Sequence, residues 1–330
     1  MKFAVRNAFL LLAGLLPALL FALSATTPEA RAAAAEVRVL ATTYPVYLLT
    51  RAVAQASPGV RVELLIPART GCPHEYALTP GDVRRLVTAK IVVINGLGME
   101  DFLGTMLAGL KDATVIDSSA GVRMLRGPME QHAEEAGGHG HDHARATPGH
   151  AHHAHGHGGV NPHAFSSPVQ AAAMARAIGT GLAKAAPEAA GECAATAEAY
   201  AVRLEALGRR LAAVAARAAN KDVLLLHDGM AYLVRDAGLH LAGVIQEDED
   251  VQPSAARLLE LAGNIRKRRP ALLIGEPQYS DKPVRALAAE TGVPVVLLDP
   301  VASGPEDAAP DYYERVMENN CRILEEHLGN

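Results

Sequence analysis

The sequence predicts an α/β protein made of two Rossmann-like lobes with parallel sheets, joined by one long rigid helix. Short apolar runs rich in β-branched residues alternate with segments of helical spacing, and this alternation occurs twice along the chain. An alanine-rich segment without proline separates the two alternating regions. With 330 residues, the chain is also longer than a single hydrophobic core usually supports. Together these observations indicate two lobes and a helical connection.

Residues 1–34 have the composition of a signal peptide. A basic start precedes a leucine- and alanine-rich run over residues 8–22, which is shorter than the roughly 20 apolar residues of a membrane span. Small residues after this run predict cleavage between about positions 24 and 34. Because no cysteine precedes Cys72, we do not expect lipid attachment at the cleavage site. The protein is therefore expected to be periplasmic, secreted through a cleavable signal peptide and not lipid-anchored.

Each lobe is predicted to contain four strands. We place the amino-terminal lobe at residues 35–186 and the carboxy-terminal lobe at residues 221–330. The predicted strands are 37–42, 60–66, 91–95 and 114–117 in the first lobe, and 223–227, 239–245, 271–275 and 295–298 in the second. Because strands and helices alternate in both lobes, we expect both sheets to be parallel.

Residues 187–220 are predicted to connect the lobes, with a single long helix over 188–219. Apolar side chains recur at spacings of 4, 3, 4 and 3 along one helical face: Tyr200, Leu204, Leu207, Leu211 and Val214. Pro187 suits the first turn, and a helix of this length would span about 48 Å. Two helices broken near Gly191 or Gly208 are the alternative. A rigid connector predicts limited motion between the lobes.

Residues 127–159 differ in composition from the rest of the chain and are predicted to form a mobile loop within the first lobe. Nine of the 14 histidines lie there: His132, His139, His141, His143, His150, His152, His153, His155 and His157. Imidazole binds Zn²⁺, Cu²⁺ and Ni²⁺, and many copies on one tether raise the local ligand concentration. We therefore expect auxiliary metal capture by this loop, with weaker sites than a folded centre would have. A solvated linker without a metal role is the alternative.

The composition excludes several other ligand classes. The net charge is −5 and the only dense basic run is residues 266–269, so the chain lacks the positive surface that nucleic-acid binding requires. The absence of tryptophan and the presence of only 5 phenylalanines leave few rings for stacking sugars or single-stranded bases. A small or ionic ligand is therefore favoured.

Three histidines outside the loop lie at the ends of predicted strands or at the start of turns, where open α/β sheets bind ligands. His74 follows the second predicted strand, His163 follows the histidine-rich loop, and His227 closes the fifth predicted strand. By contrast, His240 lies within an apolar strand pattern and His327 lies on a carboxy-terminal helix, so we interpret both as structural. The first three are the candidate metal ligands.

The chain resembles the cluster A-I solute-binding proteins of ABC importers, the periplasmic zinc and manganese receptors of the ZnuA and TroA type. The resemblance runs from about residue 37 to the carboxyl terminus and is carried by several short motifs. These are Pro-His-x-Tyr-x-x-Thr-Pro at 73–80, Asn-Gly-Leu-Gly-Met-Glu at 95–100, Asn-Pro-His at 161–163, the strand-ending His227, Glu-Pro at 276–277 and the segment 295–300. That family has two α/β lobes, one long connecting helix and a metal between the lobes.

The resemblance implies that His74 and His163 bind the metal from the first lobe, and that His227 and Asp299 bind it from the second. Three neutral imidazoles and one carboxylate suit a tetrahedral Zn²⁺ ion. Manganese-preferring relatives have a carboxylate where His227 stands, so His227 and the histidine-rich loop favour zinc. Glu276, which also ends a strand, is the rival fourth ligand, and a bound water is a third option.

Two departures from the family pattern affect the site. Cys72 lies two residues before His74, where an acidic or small residue is common in relatives, and it is a further candidate metal ligand. Ser167 stands where many relatives resemble an aspartate, which removes an acid that could orient His163. Asp228 flanks a metal histidine and is a candidate for hydrogen bonding to it or for metal binding.

The 3 cysteines cannot all pair within one molecule. A bridge between Cys193 and Cys321 that leaves Cys72 free is one of three arrangements, all of which remain open at this point.

The resemblance implies a high-affinity zinc-binding protein that captures Zn²⁺ between two lobes. It would act as a monomer and deliver the ion to the membrane permease of an ABC importer, which works with a cytoplasmic ATPase. The alternatives are a receptor for manganese or another divalent metal, a periplasmic zinc buffer and an exported zinc hydrolase. A hydrolase needs an open coordination position and a general base, and the chain has no His-Glu-x-x-His signature. We therefore expect no enzymatic activity.

Overall fold

The computed structural model describes residues 36–71, 73, 76–126, 159–246 and 253–329. The predicted signal peptide, the nine histidines of the histidine-rich loop, Cys72 and His74 lie outside these ranges. None of the helices within these ranges is long and apolar enough to cross a membrane.

The first sheet is fully parallel, with the strand order β2-β1-β3-β4. Its strands are β1 (Val37–Ala41), β2 (Val60–Leu64), β3 (Ile91–Ile94) and β4 (Thr114–Asp117). The helices that pack on it are α1 (Tyr44–Ala54), α2 (Pro80–Thr88) and the short α3 (Thr105–Gly109). A capping box starts α2, since Asp82 N donates to Thr79 Oγ1 and Thr79 N donates to Asp82 Oδ2. This cap fixes the end of the connection that contains His74.

The second sheet repeats the first, with the parallel order β6-β5-β7-β8. Its strands are β5 (Asp222–Leu225), β6 (His240–Val244), β7 (Leu272–Gly275) and β8 (Val295–Leu297). The helices α7 (Ala231–Ala237), α8 (Ala255–Arg268), α9 (Lys282–Thr291) and α10 (Tyr312–Leu328) complete this lobe. All eight predicted strands are confirmed, because buried apolar runs in an alternating α/β pattern leave little other choice.

The helices between the sheets differ from the predicted single helix. They are α4 (Pro168–Ala185), the one-turn α5 (Pro187–Ala190) and the long α6 (Cys193–Arg217). The break therefore falls near Gly191, one of the two alternatives, and Pro187 begins the short helix instead of the long one. The helix α6 continues through Gly208 without a break. The absence of a side chain at Gly208 makes room for Val169 of α4. With 25 residues, α6 extends over about 37 Å.

One hydrophobic core joins the two lobes. It contains β1 and β5 side chains such as Val39 and Val223, and it continues through Ile178 of α4 and Tyr200 of α6. Two smaller clusters lie on the outer faces of the two sheets. Residues Ala35–Asn330 accordingly form one compact unit. Opening the lobes would expose part of the shared core to water, so the fold opposes a wide hinge motion.

Candidate metal centre

Both sheets reverse their winding direction at one point, between β1 and β3 in the first lobe and between β5 and β7 in the second. In open parallel sheets, ligands bind beyond the carboxyl ends of the strands at this reversal. In the second lobe the residues that directly follow the two strands include His227 after β5 and Glu276 after β7. In the first lobe the corresponding segments begin with Thr42 and Asn95.

His227 is buried at the reversal point of the second sheet. Its Nε2 lies 3.3 Å from Glu276 Oε2, and its Nδ1 accepts a hydrogen bond of 3.1 Å from Gly229 N. The imidazole contacts the Tyr279 ring edge to face, with centroids 4.2 Å apart. Burial lowers the pKa of His227 to about 4, although the nearby Asp228 carboxylate acts in the opposite direction. The imidazole is therefore neutral at pH 7, which is the form that binds metals.

His163 lies in a short segment that ends at the 3-10 helix Ala164–Ser166. The side chain is buried, and its ring contacts Phe165 with centroids 5.9 Å apart. Asn161 Oδ1 accepts hydrogen bonds from His163 N at 2.9 Å and contacts His163 Nδ1 at 3.0 Å. Asn161 Nδ2 donates to the Asp228 carboxylate and to the Asp228 carbonyl, at 2.9 and 3.1 Å. The His163 segment is thus bonded to the residue that follows His227.

Asp299 lies at the end of the last strand of the second sheet, in a tightly held turn. Its Oδ1 accepts hydrogen bonds of 2.7 Å from both Val301 N and Gln278 Nε2. Its main chain exchanges two hydrogen bonds with the Asn320 side chain, at 3.0 and 2.8 Å. Burial raises the pKa of Asp299, and the two hydrogen bonds to Oδ1 oppose that effect. Val301 has φ 69°, a conformation that a β-branched residue rarely adopts, so the turn is locally strained.

The described residues show part of the predicted ligand set. Within the described ranges, no three histidine, cysteine, aspartate or glutamate side chains are grouped closely enough to hold one metal ion. Cys72 and His74 are not among these residues. The structure brings His227 against Glu276 and places His163 Nδ1 3.9 Å from Asp228 Oδ1. The rival ligand Glu276 is thus the acid that the structure brings against the His227 imidazole, whereas Asp299 is bonded to Gln278.

The two histidines interpreted as structural are exposed on the surface. His240 begins β6 and places Nδ1 3.2 Å from Asp222 Oδ1. His327 lies in the last turn of α10, where its Nδ1 is 2.8 Å from the carbonyl of Ile323. His240 is thus part of a strand, as expected, and its side chain is exposed.

The His163 imidazole is supported by Asn161, a role that the sequence did not predict. Ser167, which stands where the family resemblance implied an aspartate, donates a 2.6 Å hydrogen bond to Asp236 Oδ2 of the second lobe. Gln170 Nε2 also donates to Asp236 Oδ2, at 2.6 Å. The side chain that contacts the imidazole is Asn161 instead. Its place in the Asn-Pro-His motif at 161–163 is the sequence feature that could have indicated this role. The missing acid therefore does not leave His163 without an oxygen partner.

The two cysteines within the described ranges are free and buried. The bridge between Cys193 and Cys321 is therefore not formed. Cys193 Sγ lies 3.5 Å from Ser57 Oγ, and burial raises the pKa of the Cys321 thiol to about 11. Both thiols stay protonated at neutral pH, so neither is a nucleophile there.

Comparison with known proteins agrees with this architecture. Residues 39–327 match the family model described as ZnuA, zinc-uptake complex component A, periplasmic. The chain is 30% identical over 300 residues to the zinc-binding lipoprotein AdcA of Streptococcus pneumoniae, with 88% of this chain and 56% of that protein covered. It is 31% identical over 309 residues to the high-affinity zinc uptake system protein ZnuA of Brucella suis, with 86% and 90% covered. The chain thus spans little more than half the length of AdcA.

A solved structure gives the same picture of the fold. The solute-binding protein FpvC of Pseudomonas aeruginosa, in complex with Mn²⁺, superposes with a TM-score of 0.71 at 26% identity, covering 89% of this chain and 98% of FpvC. Both the shared two-sheet architecture and the family match cover nearly all of the described residues. The chain therefore belongs to the ZnuA family of periplasmic zinc-uptake components.

Proposed function

We propose that this protein captures Zn²⁺ between its two lobes and delivers it to an ABC importer. The observation that carries the proposal is His227, a buried and neutral imidazole at the reversal point of the second sheet, beside the Glu276 carboxylate. The His163 segment lies against the same edge through its bonds to Asp228. AdcA is a zinc-binding lipoprotein and ZnuA belongs to a high-affinity zinc uptake system, which supports the choice of metal.

The proposed ligands are His74 and His163 from the first lobe and His227 and Asp299 from the second. Neutral imidazoles with one carboxylate match the ligand set and tetrahedral geometry that zinc prefers. Asp299 is supported by its fixed carboxylate, because Gln278 and the Val301 amide leave it little freedom to turn. Glu276 is the competing fourth ligand, and its proximity to His227 is the argument for it.

Delivery of the ion would proceed with little separation of the lobes. In addition to the shared core, two hydrogen bonds from α1 of the first lobe reach the second lobe. Tyr44 Oη donates to the Pro305 carbonyl at 2.9 Å, and Arg51 Nη1 donates to the Ala308 carbonyl at 2.7 Å. Release would therefore depend on docking to the permease or on protonation of the ligating imidazoles, since a protonated imidazole cannot bind a metal.

The remaining parts of the proposal concern location and partners. The signal-peptide composition and the family description support a secreted, periplasmic protein. Its partners would be the importer's membrane permease with its cytoplasmic ATPase, and it would act as a monomer without enzymatic activity. The histidine-rich loop would add weaker zinc sites. Its two ends meet, because Arg126 and Val160 form an isolated antiparallel bridge.

The test is a zinc titration of residues 35–330 by calorimetry, with metal content checked by mass spectrometry. The variants are His227→Ala, His163→Ala and a replacement of residues 127–159 by Asn-Gly, a two-residue turn suited to the Arg126–Val160 bridge. We expect one tight site that both alanine variants lose and the loop replacement retains. Tight binding that disappears only with the loop would instead identify a histidine-rich zinc buffer.

A manganese receptor is the second candidate, favoured by the oxygen ligand that Glu276 offers beside His227 and by the Mn²⁺ complex of FpvC. Competition between Mn²⁺ and Zn²⁺ for the tight site decides between the metals. Deletion of the gene, followed by growth under zinc limitation, then separates import from buffering. Unimpaired growth of the deletion strain would contradict the importer role.

A further inference from the structure

We propose that Asn161 is a positioning residue that holds the His163 imidazole in the tautomer with its proton on Nδ1 and its lone pair on Nε2, the nitrogen that would bind the metal. The inference rests on the proposed function and concerns a side chain that is itself no metal ligand. It depends on four hydrogen-bond contacts of one buried amide, and on the chemistry of the groups that face it.

The orientation of the Asn161 amide follows from its partners. One end faces the Asp228 carboxylate and carbonyl, which can only accept hydrogen bonds, so that end must be the NH₂ group. The other end faces the backbone N–H of His163, which can only donate, so that end must be the oxygen. A flipped amide would set donor against donor and acceptor against acceptor. The contacts at both ends therefore agree on a single orientation.

The orientation of the amide determines the tautomer of His163. Asn161 Oδ1 is an acceptor and lies 3.0 Å from His163 Nδ1, so Nδ1 must carry the proton. In a neutral imidazole the lone pair is then on Nε2, so Nε2 is the nitrogen that can coordinate a metal. A hydrogen bond to the nitrogen that does not bind metal also fixes the ring plane and raises the basicity of the ligand. Asn161 thus prepares His163 before the ion arrives.

Asn161 is itself held firmly. Its backbone N–H donates to the Leu125 carbonyl at 2.8 Å, and its carbonyl accepts a 2.8 Å bond from Tyr232 Oη. The residue is only 4% exposed, so these bonds are shielded from water. Because Asp228 and Tyr232 belong to the second lobe, the orientation of a first-lobe ligand is set by contacts with the opposite lobe. An aspartate at position 161 would place its charge against Asp228, which explains why an amide suits this position.

The first test separates positioning from general support of the segment. Asn161→Leu removes the polar side chain at similar size, and Tyr232→Phe is the matched control, since it removes a tether of the same segment without touching the imidazole. The tautomer of His163 is measured by long-range ¹H–¹⁵N spectra of the metal-free protein, with the signal assigned by its loss in His163→Ala. Zinc affinity is measured by competition with a chromophoric chelator.

We expect the wild type and Tyr232→Phe to show a protonated Nδ1, and Asn161→Leu to lose this signature. Zinc affinity should fall about 10- to 100-fold in Asn161→Leu. It should stay within about threefold of the wild type in the control, because that variant keeps the bond to the imidazole. An unchanged tautomer or an unchanged affinity in Asn161→Leu overturns the inference. The tautomer is read without metal, so it decides the inference even if the wild type binds no zinc and the proposed function fails.

A second set of variants covers the case in which the leucine protein does not fold. Asn161→Asp keeps an acceptor for Nδ1 but places a carboxylate against Asp228, so the tautomer should persist and the melting temperature should fall by about 2–4 °C. The double variant Asn161→Asp with Asp228→Asn exchanges donor and acceptor and should recover most of that fall. A double variant no more stable than the single one contradicts the role of Asp228 in holding Asn161.

Discussion

The two lobes have the same strand order but use the reversal point of their sheets differently. In the first lobe, the buried Glu100 carboxylate fills this position. It accepts hydrogen bonds from Thr42 Oγ1 at 2.6 Å, from Asn95 N at 2.7 Å and from Gly96 N at 3.0 Å. In the second lobe, the Glu276 carboxylate lies 3.3 Å from the imidazole of His227. One topology thus produces a carboxylate that completes the fold and another that lies against the proposed metal ligand His227.

The difference shows that fold alone does not make a site. The ends of parallel strands collect polar groups in either lobe, because backbone N–H groups there need acceptors. In the first lobe the chain supplies the acceptor itself, through a loop whose Gly96 has φ 81° and donates to Glu100. In the second lobe the His227 imidazole lies beside the Glu276 carboxylate, where the first lobe has backbone N–H donors. Replacement of Glu100 should therefore affect the stability of the fold, whereas replacement of Glu276 should affect metal binding.

The largest effect is expected from His227→Ala. A zinc site of four ligands binds with roughly 10–16 kcal/mol, so the loss of one ligand costs on the order of 3–4 kcal/mol, or about 100- to 1,000-fold in affinity. Glu100→Gln is the matched control from the first lobe, and its zinc affinity should stay within about threefold of the wild type, because Glu100 is a structural group. Chelator competition measures both. A large loss in Glu100→Gln would mean that the first-lobe carboxylate also serves the metal.

The second expected effect is a pH dependence of stability that comes from Glu100. Burial raises the pKa of Glu100 to about 7 from its ordinary value of 4.5, against the opposing effect of its three hydrogen bonds. Between these values the folded protein binds more protons than the unfolded chain, so the contribution of Glu100 to the free energy of unfolding decreases as pH rises. The wild type should lose about 3 kcal/mol relative to Glu100→Gln from pH 4.5 to pH 7.5.

Urea unfolding of both proteins at several pH values measures this difference. Glu326→Gln, which changes an exposed carboxylate of α10, is the control for the loss of one acidic side chain. A difference between wild type and Glu100→Gln that is constant or grows with pH would show that the carboxylate stays ionised in the folded state.

A third experiment decides which second-lobe carboxylate accompanies His227. If Asp299 is the ligand, Asp299→Asn should weaken zinc binding by about 100-fold, and Glu276→Gln should weaken it by about 10-fold through the loss of its contact with the imidazole. Parallel chelator competition on the two variants gives the order. If Glu276→Gln weakens zinc binding more than Asp299→Asn does, Glu276 is the ligand. Glu276 would then bind the metal, whereas Glu100, at the same position of the first sheet, would serve only the fold.

The smallest effect is expected from Gln278→Leu. This change removes one of the two donors to Asp299 Oδ1 and leaves the Val301 amide in place. Zinc affinity should fall by about tenfold, because the carboxylate is less firmly oriented. The double variant Gln278→Leu with Asp299→Asn should be no weaker than Asp299→Asn alone. Additive losses would show that Gln278 acts on the site by a route that does not involve Asp299.

The strands followed from the sequence because their signals are local. Buried β-branched runs give the strands, and His227 was singled out because it ends the fifth predicted run, two residues after the end of β5. The role of Asn161 was not predicted, since its partner Asp228 is 67 residues away in the chain and belongs to the other lobe. The start of the long helix was misplaced for a related reason. Pro187 is a correct helix-start signal, but the chain uses it for a single turn before Gly191.

The bridge between Arg126 and Val160 makes the histidine-rich insertion a replaceable module. Since the two ends already meet, a longer insertion adds only the entropy of closing a larger loop, which grows by about 0.6 kcal/mol for each doubling of length. The number of histidines can therefore vary between related proteins, or be varied by design, with little effect on folding. A fluorescent domain could be inserted between Arg126 and Val160, and with the proposed zinc site the protein would become a zinc sensor whose reporter ends shortly before His163 in the sequence.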